Sequence, residues 1–162
     1  MTTSERPLTI DADAHVIETD RTWEFMEGEY ARYKPVTVAP VEGESKRLSW
    51  IIDGKLKPRR VNIGSDTSEA SRELHDVKAR LSHMDELGTD IQVLYPTINT
   101  RKIADSPAAD YALGRSYNRW LAEIWEQGED RLDQRCADSS GSAQRCEVEF
   151  SAARPASRAM EA

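Results

Sequence analysis

A short apolar run, Ile91-Gln92-Val93-Leu94-Tyr95, stopped by Pro96, stands between two amphipathic helical stripes, and that order leaves few folds open. Upstream, Leu74, Val77, Leu81, Met84 and Leu87 recur at three- and four-residue steps, which predicts a helix over 69–87. Asp66 or Ser68 can cap its start, and Gly88 sits where a C-terminal glycine belongs. Downstream, Ser106-Pro107 reads as the N-cap and first position of a second helix, striped by Leu113, Tyr117, Trp120, Leu121 and Ile124 and ended by Gly128. A strand held between two such helices is the repeating unit of an α/β fold with parallel strands.

An earlier strand supplies the partner. From Leu8 to His15 the residues alternate, with Leu8, Ile10, Ala12 and Ala14 on one face and Thr9, Asp11, Asp13 and His15 on the other. Three ionisable groups share that second face. Residues 19–47, with prolines at 35 and 40, read as a loop with one helical turn around Trp23 to Met26. Ser49-Trp50-Ile51-Ile52-Asp53-Gly54-Lys55-Leu56 reads as a β-hairpin on a type I′ Asp-Gly turn, an excursion from the main fold.

Composition narrows the function. A net charge of −7 argues against a nucleic-acid partner, which needs a basic surface. No apolar run reaches the roughly 20 residues of a membrane helix, and the N-terminus lacks a secretory apolar segment. A cytoplasmic protein without a membrane partner is the expectation. The two cysteines, Cys136 and Cys146, have no metal-site spacing and read as incidental.

Chemistry concentrates in Asp13-Ala14-His15. Two residues apart on a strand, both side chains point the same way, and carboxylate and imidazole are good ligands for Zn²⁺ and similar cations. A half-exposed strand end with a solvated Asp and His fits the same spacing. His75 and His83 fall eight residues apart on the first predicted helix, about 12 Å along its axis, too far for one ion. Both read as ordinary helix-face residues. Tyr117, Trp120 and Trp125 have the spacing of packing residues.

The wider pattern resembles the amidohydrolase-related family, in the branch of aminocarboxymuconate-semialdehyde decarboxylase and the resorcylate-type decarboxylases. Three segments carry the resemblance in order: Ile10 to Glu18 followed by Trp23; Arg80 with Met84 to Thr97; and Tyr117 to Glu123. It covers residues 8–132. Implied by it is the N-terminal part of a (β/α)₈ TIM barrel holding one divalent metal, zinc or alternatively manganese. Asp13 and His15 match the first two ligands. Glu18 matches a commonly acidic position and is either a third ligand or a loop carboxylate. Thr97, at the end of the second strand, is a candidate substrate-lining residue. The family's later ligands, a His and an Asp, have no counterpart here. The implied chemistry is hydrolysis or non-oxidative decarboxylation of a small carboxylate substrate, in full-length relatives that form homo-oligomers. A non-catalytic α/β fragment that only associates with other chains is the competing expectation.

Residues 1–7 are expected to be a flexible lead-in. From Asp133 the character changes: among the last 30 residues the large apolar side chains are Val148, Phe150 and Met160. Residues 133–162 read as disordered on composition. Where a third strand is expected, the chain gives Asp133-Gln134-Arg135-Cys136-Ala137. The expectation is out-of-frame translation of a GC-rich gene, with a genuine disordered tail as the alternative.

Overall fold

The computed structural model describes residues 6–39, 48–59, 67–98 and 102–134. The expected Asp66 cap, Cys136, Cys146, residues 1–5 and the tail from 135 lie outside the described residues.

Three strands run parallel in the order β1 (Ile10–Val16), β5 (Ile91–Pro96), β6 (Leu132–Gln134). Between them in sequence come helices α1 (Glu69–Arg72), α2 (Val77–Leu87) and α3 (Pro107–Gln127). This is a mixed α/β fold on an open parallel sheet, as the element order demands. The third strand starts at Leu132 and runs through Asp133 and Gln134, pairing Gln92 with Leu132 and Leu94 with Gln134. Two residues assigned from composition to the tail thus lie in the sheet. Leu132 is 1% exposed, and its burial together with ladder hydrogen bonds outweighs the weak strand propensity of its neighbours.

The region between β1 and α1 is more ordered than its sequence suggests. Two 3-10 turns, Asp20–Trp23 and Gly28–Tyr33, replace the single turn expected at Trp23 to Met26. A short strand, β2 (Val36–Val38), then pairs antiparallel with the hairpin of β3 (Ser49–Ile52) and β4 (Lys55–Pro58). The hairpin turns at Asp53 and Gly54 with φ of 51° and 71°, as the Asp-Gly pair implies. Trp23 and Trp50 are fully buried and meet edge to face, centroids 6.0 Å apart. The excursion therefore belongs to the core. Its turn also reaches α3: Asp53 Oδ2 accepts from the amides of Asp105 (3.0 Å) and Ser106 (2.8 Å), and Lys55 pairs with Asp105.

The helix expected over 69–87 is broken. Leu74 adopts φ 51° and is fully buried, and Asp76 restarts the helix by accepting from the amides of Lys78 (2.9 Å) and Ala79 (3.3 Å). Val77, Leu81 and Met84 are buried as expected, whereas Leu87 is 61% exposed. Ser68 caps α1 and Ser106 caps α3, both as expected. Along α3 the stripe from Leu113 to Ile124 is buried, with Tyr117 and Trp120 in ring contact and Trp125 half-buried.

Arg6 grips the Asp90 carboxylate through both guanidinium nitrogens, at 2.8 and 2.5 Å, and Thr9 N adds a third donor at 2.7 Å. The Thr9 amide first, and Arg6 after it, hold that carboxyl below its usual range. No helix among the described residues is long and apolar enough to cross a membrane.

Candidate metal centre

Strand β1 does not keep the simple alternation of its sequence. Paired against β5 it matches Asp11 with Gln92 and Ala14 with Leu94, three residues against two, so a bulge lies at Ala12-Asp13. Paired residues in a sheet share a face. Asp11 therefore joins Gln92 and Ala14 on the side covered by α2, away from Asp13 and His15. The expected four-residue polar face is split. Its apolar counterpart is split too: Ala14 and Val16 are buried, but Leu8 and Ile10 are 63% and 52% exposed.

The bulge leaves Asp13 and His15 together. His15 Nε2 lies 3.7 Å from Asp13 Oδ1, with the His15 side chain 39% and the Asp13 side chain 91% exposed. His15 Nδ1 is 2.9 Å from the carbonyl oxygen of Pro96. A carbonyl only accepts, so Nδ1 carries a proton, and Nε2 is the ring nitrogen turned toward the Asp13 carboxylate. An imidazole nitrogen and a carboxylate at this distance can share a cation or a proton. Ligands of one tetrahedral zinc, each about 2.0–2.2 Å from the metal, lie roughly 3.3–3.6 Å apart. The donor set and its spacing fit a divalent cation. A backbone carbonyl on the far ring nitrogen is also the usual way of fixing a ligating imidazole.

Glu18 and Thr97 are used differently. Glu18 is 1% exposed; its Oε1 accepts from the amides of Thr97 (3.0 Å) and Ile98 (3.1 Å), and its Oε2 from Ile98 (3.2 Å). Its carboxylate thus serves the loop after β5. The Thr97 hydroxyl donates to the carbonyl of Val16 at 2.5 Å, tying that loop to the end of β1. The structure brings Asp13 and His15 to each other, and Glu18 to Thr97. Tyr117, fully buried, has its hydroxyl pushed well above its usual pKa, by burial first and by the Glu18 charge second.

Sequence reasoning passed over a second cluster. Glu69, Glu73 and His75 each place a ligand atom within 4.8 Å of the others, the single such group of three among the described residues. His75 is not on a helix face, as expected from the periodicity, but in the break between α1 and α2. Its Nε2 lies 3.0 Å from Glu73 Oε2, while Arg59 donates to Glu73 Oε1 at 2.9 Å. Arg72 approaches Glu69 at 3.9 Å. Two guanidinium groups already answer this negative charge, which opposes a further cation. The sequence signal for the cluster was the Asp76 cap, which marks the break that exposes His75. Asp11, Gln92 and Arg80 were likewise passed over. Their signal was a glutamine inside an apolar strand and an arginine inside an apolar stripe.

No protein-family model and no curated protein matches the chain. Among solved structures it is similar to the crystal structure of an amidohydrolase from Mycobacterium avium subsp. paratuberculosis K-10, with a TM-score of 0.55 and 20% identity. The match covers 80% of this chain and 42% of that one, so the chain spans about two-fifths of the solved protein's length. At that identity the likeness is one of fold.

Proposed function

We propose that this chain is the opening part of a (β/α)₈ barrel of the amidohydrolase type, and that Asp13 and His15 hold one divalent cation, zinc or alternatively manganese. The observation that carries the reading is His15 Nε2 facing the Asp13 carboxylate at 3.7 Å, with Nδ1 anchored on Pro96. Both residues stand toward the C-terminal end of a parallel strand, where barrel enzymes place their chemistry. A cation there supplies Lewis-acid polarisation of a substrate oxygen. The substrate class is a small carboxylate-bearing molecule, and the reaction hydrolysis, with non-oxidative decarboxylation as the alternative branch. Glu18 and Thr97 fix the loop beside the site and leave the cation to Asp13 and His15. Among the described residues no third Cys, His or carboxylate joins that pair, so further ligands must come from elsewhere in a complete site. That same count favours a second reading, a non-catalytic α/β chain that associates with other chains.

Zinc titration by calorimetry separates the two. One-to-one binding that disappears in Asp13→Ala and in His15→Ala, but survives His75→Ala, is the expected result. Binding lost only in His75→Ala, or absent from the unsubstituted chain, would overturn the metal assignment.

A further inference from the structure

Behind the Asp13–His15 pair lies a chain of three side chains that no part of the proposed site uses. Arg80 of α2 is 5% exposed and Gln92 of β5 is 4% exposed. Arg80 Nε donates to Gln92 Oε1 at 2.7 Å, and Gln92 Nε2 donates to Asp11 Oδ2 at 3.1 Å. Both ends of the chain grip backbone of the candidate ligands. Asp11 Oδ1 accepts from the amide of Asp13 at 3.2 Å, and Arg80 Nη2 donates to the carbonyl of His15 at 3.4 Å. A buried guanidinium bridged to a carboxylate through a neutral amide is a poor way to gain stability, because apolar side chains of similar size pack as well without the desolvation penalty. It is a good way to fix geometry, since Arg80 Nε, both polar atoms of Gln92 and both oxygens of Asp11 each meet a defined partner.

We infer that Arg80, Gln92 and Asp11 are positioning residues: they set the bulge at Ala12-Asp13 and so aim Asp13 and His15 at a single cation. The inference rests on the metal reading for what is aimed, but not for the aiming itself. Without Asp11 on the helix side, the amide of Asp13 loses its acceptor. Nothing then prevents β1 from reverting to plain alternation, in register with Gln92 and Leu94. With Arg80 withdrawn, the carbonyl of His15 is released at the same point.

The polarity of the chain supplies its own test. Asp11→Asn alone sets an amide donor against the Gln92 amide, and Gln92→Glu alone sets a carboxylate against Asp11. Combined, the two substitutions restore every hydrogen bond, with donor and acceptor exchanged only between residues 11 and 92, and leave the net charge as it was. Each variant of the full chain is read in two ways at pH 7.5. The first is zinc affinity by calorimetry. The second needs no metal: the nuclear Overhauser contact between the His15 ring and the Asp13 methylene, with hydrogen-exchange protection of the Asp13 amide.

Each single substitution is expected to lower zinc affinity by about 10- to 100-fold and to remove both magnetic-resonance signatures. The pair together returns affinity to within about threefold of the starting chain, and the signatures with it. Single variants that keep the signatures, or a folded double variant that fails to regain them, would overturn the inference. If the singles do not fold, the double variant decides alone, since it keeps all partners. If no form binds zinc, the metal reading falls, and the metal-free signatures still decide whether this chain sets the bulge.

Discussion

Glu18 shows how far a residue's neighbours decide its work. A carboxylate three residues past a candidate ligand reads equally as a third ligand or as a loop residue, and the sequence has no means to choose. Burial and three amide contacts tie its carboxylate to the loop after β5. Glu18→Gln keeps the shape but turns one acceptor into a donor aimed at amide donors. An unmet buried polar group costs about 1–3 kcal/mol, so urea unfolding should show a loss of that size, with zinc affinity changed less than tenfold. A large loss of zinc affinity without loss of stability would return Glu18 to the ligand set. That Asp13 and His15 stand together was legible because two residues at strand spacing share a face, a pattern in the sequence itself. Asp11 was not. A one-residue bulge leaves the string of letters unchanged while reversing which face each letter occupies.

Among the elements, β5 and α3 were read correctly, whereas the helix expected over 69–87 breaks in two and β1 carries a bulge. Leu74 and Val77 are both buried, so the three-residue step runs on through a kink at which the backbone abandons the helix. Local capping by Asp76 competes with continuation of the helix, and periodicity counts alone do not register it. Strand β2 was missed because three residues after a proline are too few to show a period. Gly128 ends α3 as expected, but for a different reason. Its φ is −83°, which any residue can adopt, while Glu129 and Asp130 take the left-handed conformations at 53° and 59°. What requires glycine is space: a Cβ there would lie 2.9 Å from Leu132 Cβ. Gly128→Ala should therefore cost about 1–3 kcal/mol, as overpacking does. Combining it with Leu132→Ala should give a cost below the sum of the two singles in thermal unfolding. Strict additivity would mean that the contact does not limit the turn.

At the scale of the molecule, the sheet order β1-β5-β6 leaves an outer edge on β1 and on β6 that no described strand pairs. Leu8 and Ile10 lie exposed beside the first of these, and an open edge with apolar flanks favours association. Sedimentation should show mass rising with concentration, and Ile10→Lys should reduce that rise without lowering helix content. A chain that stays monomeric up to high concentration would contradict this. The α/β class was legible from element order alone. How the excursion joins the core was not, because the contacts that bind it span long separations in sequence. The Asp53 carboxylate holding the amides of Asp105 and Ser106 is the clearest of them, at separations of 52 and 53 residues. It gives the chain a timetable. Local hairpins form within microseconds, but this turn reaches its partners only after the two intervening helices and the strand have brought them near, because loop closure must come before the contact rewards it. The hairpin is therefore an early structure with a late attachment: its turn waits for the amides at the start of α3.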